Sequence, residues 1–452
     1  MRQRDRNLLS LVAGALALIS AAGLAGTSFA QEVKPTNSVV ISLSEAIRRA
    51  QQNEPSFANV LAVQKTAAID QYLARAALLP SVTYDNQILY TQPNGKLIQG
   101  VQGGAEPAPV FIANNTIHEY ISQASINETI GLKRFADAEA AKASAARASA
   151  ELEVARRGLV SSVVNLYYSV SASRTKQHLM AEALREAESF TDLTQKREAA
   201  REGAHADVVK AQLQQQQRQR DLSDATLAAD KARLELAVVL FPDPRTPFAT
   251  EGAGAPPSLP TREEVERLAA IHNPEVRSAL AEVRAGNAEV SSAKAAYFPD
   301  LALNFSYGID APQFARRGPS AVQNLGYSIS GTINIPVWDW FSTQKRIKQN
   351  EIRRDAAKVT LTAAQRKLIA TLEETYAEAT AARGQMDLLD LSVQTAEESL
   401  RLTKLRYSAG EATALEVVDA QGAYLSAETA RADGAVRDQT ALAELQLMSG
   451  TL

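Results

Sequence analysis

The seventeen prolines of this 452-residue chain lie in three zones: at or before Pro109, from Pro242 to Pro299, and at Pro312, Pro319 and Pro336. Residues 110–241 and 337–452 contain none. Proline inside a helix removes an amide donor and clashes with the turn before it, so stretches this long without one are free to form very long helices. Residues 134–202 read as a near-uninterrupted helical pattern broken only by Gly158, and residues 207–240 read as its antiparallel return. Residues 342–408 and 413–448 repeat the arrangement. At about 1.5 Å per residue each outward helix is about 100 Å long. Helices of that length predict packing as a coiled coil or a tube. The Ala-rich run 136–150 suits close helix approach. The run 212–220, almost without apolar residues, suits either a face open to a water-filled interior or a solvated outer face.

Each long pattern turns back once. In the second, Arg406-Tyr407-Ser408-Ala409-Gly410 ends one helix, and Thr413 with Glu416 three residues later forms a capping-box arrangement that starts the next. A tyrosine therefore sits on one arm and Asp419 on the other. Gly203 marks the corresponding turn of the first hairpin.

The chain is one unit used twice. Ala74-Arg75-Ala76-Ala77-Leu78-Leu79-Pro80 matches Ala293-Lys294-Ala295-Ala296-Tyr297-Phe298-Pro299, and the same offset pairs Glu45 with Glu264, Ala50 with Ala269 and Pro55 with Pro274. Val208-Val209-Lys210-Ala211-Gln212 later matches Val417-Val418-Asp419-Ala420-Gln421. The first repeat spans 31–240 and the second 261–452, joined by a Pro-, Gly- and Thr-rich linker over 241–260. Each opens with a helix. Residues 43–79 are capped at Ser42 or Ser44, and residues 261–298 at Thr261 with Glu264 in the capping-box position. Pro55 and Pro274 split these helices, and Pro80 and Pro299 end them.

A strand pair follows each opening helix, at 81–131 and 300–336. Leu301, Leu303, Phe305 and Tyr307 alternate with Ala302, Asn304 and Ser306; Tyr327, Ile329, Ile333 and Ile335 alternate with Ser328, Ser330, Thr332 and Asn334. Val82, Tyr84, Ile88 and Tyr90, and more weakly Tyr120, Ala124, Ile126 and Ile130, complete an apolar face. Alternation alone fits a transmembrane β-barrel or a small sheet on a soluble core. The long connections 92–115 and 309–324 favour the barrel, whose outer loops are long. Trp338, Trp340 and Phe341 follow the last strand, where an interfacial aromatic girdle or packing anchors beside a sheet both fit. Four strands cannot close a barrel, and an open edge in lipid leaves backbone groups unsatisfied at several kcal/mol each, on the order of a buried amide without a partner. Two chains would supply eight strands and three would supply twelve; only the larger barrel leaves a channel. The small polar residues of the inner face suit a water-filled lumen.

At the N-terminus, Arg2, Arg4 and Arg6 precede the apolar run 8–24 and the small-x-small site Ser28-Phe29-Ala30, a signal peptide over 1–30 with the mature chain expected from Gln31. Its removal shifts the formal charge from −3 to −5 through loss of three Arg and Asp5. No other window is apolar enough for a transmembrane helix. A mildly acidic chain is a poor nucleic-acid partner. Without cysteine there is no disulfide, thiolate metal site, thiol nucleophile or lipidated N-terminal Cys. His118, His178, His205 and His272 have no metal-ligand spacing, the glycines of 100–104 fall in a loop, and no nucleophile-elbow or phosphate-loop motif occurs. No enzyme chemistry, cofactor or metal is expected.

With Tyr407-x-x-Gly410 leading to Leu415-Glu416-Val417-Val418-Asp419-Ala420-Gln421, and the repeated order of helix, strand pair and long hairpin, the chain resembles the TolC-type outer-membrane efflux proteins. The resemblance implies a mainly α fold with a transmembrane β-barrel portion, a homotrimer closing a twelve-stranded barrel in outer-membrane lipid, and a periplasmic helical tunnel. It implies a periplasmic adaptor and an inner-membrane pump as partners, and export of small molecules such as drugs, metals or metabolites. A protein-secretion role shares that architecture, and a soluble periplasmic coiled-coil scaffold is the alternative from another class. The resemblance also implies a gate at the periplasmic mouth involving Tyr407, Asp419 and Asp207. The arginine expected two residues after the turn glycine is Ala412, which leaves Arg406, Arg201 or Lys210 as substitutes. The first repeat departs further: its hairpin is two residues shorter, and Asn53-Glu54-Pro55 stands where the second has Asn273-Pro274.

Overall fold

The structure, a computed structural model, describes residues 39–90, 118–251, 258–311, 313–318, 321 and 323–450. The predicted signal peptide, the connection 92–115 and the glycines of 100–104 lie outside the described residues, as does part of the connection 309–324. Two compact units are distinguished. The smaller holds Val39, Val40 and residues 247–249 among the described residues, where β1 (Val39–Ile41) pairs with β4 (Phe248–Thr250). The region predicted as a plain linker thus contributes a strand, and three residues are too few for an alternation signal.

The larger unit follows the order read from the sequence. Helix α1 (Leu43–Asn53) is capped by the Ser42 hydroxyl, which accepts from the Glu45 amide, and α2 (Pro55–Ala76) carries Pro55 in its first turn. Strands β2 (Ser81–Tyr90) and β3 (His118–Gly131) lead into the 68-residue α3 (Leu132–Ala199), which turns into α4 (His205–Leu240). The second half runs α5 (Arg262–His272), α6 (Pro274–Ala295), β5 (Asp300–Ala311), β6 (Leu325–Asn334), the 67-residue α7 (Ser342–Ser408) and α8 (Ala414–Ser449). Among the described residues no helix is long and apolar enough to cross a membrane.

Two local expectations differ. Thr261 is the N-cap of α5, but its side chain makes no capping bond; Glu263 and Glu264 supply the negative charge that the helix start favours instead. The two proline junctions also use different caps. Asn273 Oδ1 accepts from the Val276 amide at 2.9 Å, whereas Glu54 takes the cap of α2 and frees Asn53 to donate to the Leu240 carbonyl at 2.8 Å. The extra residue turns a helix cap into a tie to the end of α4.

Packing explains the lengths. The returns α4 and α8 have 36 residues each, about half of the helices they fold back on, so the other half of α3 and of α7 needs another partner. Helix α6 supplies it, packing on both α3 and α7 and burying Ala279, Ala285, Val290 and Ala295. Its repeat counterpart α2 packs on α3 and not on α7, touches the neighbouring α1, and has no buried residue. The short opening helices close satellite cores. Val265 and Ala269 of α5 meet Leu372, Ala379, Ala441 and Leu445, and Leu43 and Ile47 of α1 meet Val160, Val164 and Ala443. Tyr167 fixes the chain entry, its hydroxyl donating to the Ile41 carbonyl at 3.0 Å and the Glu251 carbonyl at 3.2 Å.

The four long strands form one antiparallel meander in the order β2-β3-β5-β6. Register aligns Val82 with Ile126, Ile126 with Phe305 and Phe305 with Ile329, so the apolar positions of all four strands share one face. On the other face Asn304 donates to the Asn127 side chain, and the Ser306 and Ser328 hydroxyls share a hydrogen bond at 2.7 Å. Gly308 lies where a Cβ would stand 2.1 Å from the Ser122 carbonyl oxygen, while Gly326 has open space around it. Gly308→Val should therefore disrupt the β3–β5 pairing, at the upper end of the about 1–3 kcal/mol typical of overpacking. Gly326→Val should stay within about 0.5 kcal/mol of the parent. Thermal unfolding of the two variants checks the difference.

Candidate functional site

The two hairpin turns come together. Tyr407, in the last turn of α7, is 4 % exposed and packs with Phe190, Ala211, Ala414 and Val417, so all four long-hairpin helices contribute to one cluster. Its ring centroid lies 5.2 Å from that of Phe190. The Arg197 guanidinium lies over the Tyr407 ring at 4.8 Å from its centroid and also donates to the Tyr407 carbonyl. Such a cation–π contact is worth about 0.5–2 kcal/mol, and a hydrogen bond from a charged donor about 1.5–3 kcal/mol. Burial lifts the Tyr407 phenol above its ordinary range; the Asp207 charge adds to that and the Arg197 charge opposes it.

Gly410 makes the second turn in the left-handed conformation, φ 81°, which lets the Glu411 amide reach back to the Arg406 carbonyl at 2.8 Å. The expected capping box forms: Thr413 Oγ1 accepts from the Glu416 amide at 3.3 Å and the Glu416 carboxylate accepts from the Thr413 amide at 3.1 Å. The first turn is built differently. Arg201, not Gly203, takes the left-handed conformation at φ 62°, and Gly203 instead allows close approach to Arg197. His205 and Glu198 tie this shorter turn at 2.7 Å.

Of the residues expected at the gate, Tyr407 and Asp207 are brought close together and Asp419 is not. Asp419 is exposed and, among the described residues, makes no hydrogen bond or ion pair. The cation on the tyrosine is Arg197 from the other hairpin, and none of Arg406, Arg201 and Lys210. Arg406 is spent within its own turn, on Glu416 at 3.4 Å and the Glu411 carbonyl at 3.1 Å. Phe190 and Arg197 are spaced by two helical turns and so share a face of α3. That spacing was readable in the sequence, but nothing local says which helix the face meets.

At the foot of the sheet, Trp338 stacks edge-on with Trp340 at 5.7 Å and with Phe341 at 5.1 Å, and all three rings are exposed. Trp340 and Phe341 both have positive φ, at 56° and 62°, an uncommon conformation for large side chains. Phe135 after β3 and the pair Tyr297-Phe298 before β5 are exposed at the corresponding junctions. These three escaped the sequence reading, although Tyr297 and Phe298 sit inside the repeat signature that ends at Pro299. Among the described residues, no group of His, Asp and Glu is placed to hold a metal ion.

Two outcomes follow from the turn geometry. Arg197→Ala should accelerate amide exchange through residues 407–413 by tenfold or more, about 1.4 kcal/mol, while Lys210→Ala leaves it within twofold; exchange mass spectrometry reads both. Glu416 is held below the usual carboxylate range by the Thr413 amide and hydroxyl. Its contribution is therefore complete above the unfolded value, near 4.5, and is lost as pH falls through the lower folded value. Protection of the same segment, relative to the intrinsic exchange rate at each pH, should fall below pH 4.5 and fall less in Glu416→Gln.

Comparisons with known proteins agree with this architecture. The family model described as outer membrane efflux protein matches residues 46–240 and 266–451. The chain is similar to outer membrane protein OprJ of Pseudomonas aeruginosa, 30% identical over 176 residues, or 38% of this chain and 36% of that protein. It is also similar to the pyoverdine export outer membrane protein OpmQ of Pseudomonas aeruginosa, 27% identical over 312 residues, or 65% and 60% of the two chains. The matched region thus spans between 36% and 60% of these relatives' lengths. Among solved structures, the outer-membrane channel OprN superposes with a TM-score of 0.74 at 19% identity, covering 91% of this chain and 90% of that one. The Campylobacter jejuni CmeC outer membrane channel gives 0.75 at 15% identity over 95% and 94%. At those identities the structural likeness carries the fold, and the match of the family model to both repeats carries the kinship. The chain belongs to the outer membrane efflux protein family and is an outer-membrane protein.

Proposed function

We propose that the chain is the channel subunit of a tripartite export system, three copies closing a twelve-stranded barrel above a helical tunnel. The observation that carries this reading is the sheet. Its two edge strands present Val82, Tyr84 and Ile88 on β2 and Tyr327, Ile329 and Ile333 on β6 on one exposed face. Such a face suits lipid, and lipid tolerates no open edge, so β6 of one copy is expected to pair with β2 of the next. The helices support the same arrangement. By the repeat, α2 lacks the second partner that α6 has in α3 and α7, and α7 exposes Ile352, Val359 and Ile369. Seating α2 against α7 of the neighbouring copy repeats the α6 arrangement and closes the ring.

Passage of small molecules such as drugs, metals or metabolites, delivered by a periplasmic adaptor and an inner-membrane pump, follows from kinship with proteins named for pyoverdine export and for toluene efflux. The polar inner face of the sheet, with its Asn and Ser ladder, fits a wet lumen. At the mouth, threefold symmetry would turn exposed Asp419 and half-buried Asp207 into rings of carboxylates. The aromatic groups at the foot of the sheet fit the periplasmic membrane interface.

Extraction decides the class. A heat-resistant trimer recovered from outer membranes only with detergent supports the channel, while release of the chain by osmotic shock refutes it. In planar bilayers, Asp419→Ala should reduce cation over anion selectivity several-fold; unchanged selectivity removes Asp419 from the conducting path.

A further inference from the structure

Cations at the start of the two longest helices run against the pattern of the rest. Helices α1, α4, α5, α6 and α8 each place an acid in the first turn (Glu45, Asp207, Glu263 with Glu264, Glu275 and Glu416), the sign that a helix N-terminus favours. Helix α2 has none there but is capped by Glu54, and α3 and α7 have an acid neither in the first turn nor at the N-cap. Both instead open with a Lys-Arg pair, Lys133-Arg134 and Lys345-Arg346, and both begin directly below the sheet.

The two pairs differ in what they touch. Lys133 is matched by Asp137 at 2.9 Å, and Arg134 donates to the Ala77 carbonyl at 2.6 Å, so the first pair is satisfied within the chain. Lys345 and Arg346 are exposed and, among the described residues, their side chains make no hydrogen bond or ion pair. Asp339 serves the α7 start by accepting from the Thr343 amide at 2.7 Å, and the next acid, Glu351, lies 3.7 Å from Lys348. Immediately above the free pair stand the exposed rings of Trp338, Trp340 and Phe341. An open trough of about 450 Å³ at the foot of the sheet is lined by Lys133, Phe298, Asp300, Ile333 and Ile335, with Asp300 accepting from the Asn334 side-chain amide at 2.7 Å; Lys345 and Arg346 lie outside it.

We propose that this surface binds anionic phospholipid headgroups of the periplasmic leaflet, with Lys345 and Arg346 as the phosphate contacts and the aromatic cluster at the acyl boundary. The charge is complementary, the free cations have no acidic partner among the described residues, and the surface continues the apolar face of the sheet at the level where headgroups begin. Rings at the boundary and cations just beyond it are the order in which an interface presents acyl carbonyls and then phosphates. Each Lys or Arg near such a surface favours anionic over zwitterionic lipid by about fivefold. The inference rests on the outer-membrane channel reading above.

The test uses the full-length chain as extracted in detergent, incubated with phosphatidylglycerol and phosphatidylcholine of matched acyl chains and examined by native mass spectrometry. The parent trimer should retain phosphatidylglycerol at least fivefold over phosphatidylcholine. Lys345→Gln/Arg346→Gln should bring that ratio below twofold, and Lys345→Gln alone, for use should the double variant not assemble, should lower it about fivefold. Lys65→Gln/Lys176→Gln, exposed cations on α2 and far along α3, should leave it unchanged. An intact trimer without headgroup preference, or with a preference untouched by the Lys345 and Arg346 variants, overturns the proposal. So does a parallel arm in which lipid A, not phosphatidylglycerol, is the lipid lost on substitution, since that assigns the cations to the opposite leaflet. Failure of the channel reading is recognised separately: the parent chain would then be a water-soluble species, and the proposal would fall with it.

Discussion

A backbone amide in hydrocarbon has no water to turn to, and most of this architecture follows from that. Four strands with an apolar face leave an unpaired row on β2 and another on β6, each orphaned group costing several kcal/mol, on the order of an unpaired buried amide. The chain cannot remove either edge by itself, because its strands form a simple meander whose ends are far apart in order. On the channel reading proposed above, closure by symmetry is the remaining solution.

The helical half answers a separate problem of length. A 68-residue helix backed by a 36-residue return leaves half its flank bare. Helix α6 covers that flank for α3 and α7 together, with small residues allowing close approach, while α2 is left half covered. The asymmetry between two elements that read almost alike in sequence supports the ring proposed above. At the far end the hairpins are joined by a compact contact in which one arginine serves two purposes. Arg197 lies over the Tyr407 ring and binds its carbonyl, tying the α3 end of one hairpin to the α7 end of the other. Held in this way, the two hairpin ends are joined within one chain.

Much of the fold was legible because it is local. Proline placement bounded the helices, Ser42 and Thr413 fixed two helix starts, and the alternation of Leu301 to Tyr307 marked a strand whose apolar side the register confirms. Gly410 announced a turn that only a left-handed residue allows. Where reading failed, the cause was non-local. Thr261 has the spacing of a capping box without making it. The left-handed residue of the first turn is Arg201, which no propensity would choose over Gly203 two positions on. Strand β4 is too short to carry a period, and its partner β1 is about two hundred residues away in the chain.

The amino-acid sequence by itself determined the repeat, the order and length of the elements, and the face each strand would show, since these rest on periods of two and 3.6 residues and on the stereochemistry of proline and glycine. It did not determine partners. That Tyr407 meets Phe190 and Arg197 and not Asp419, that Asn53 leaves its cap for the Leu240 carbonyl, and that α6 is enclosed while α2 is not were decided by tertiary packing. These contacts join residues tens to hundreds of positions apart, and their geometry is fixed only when the helices have chosen which flank to bury.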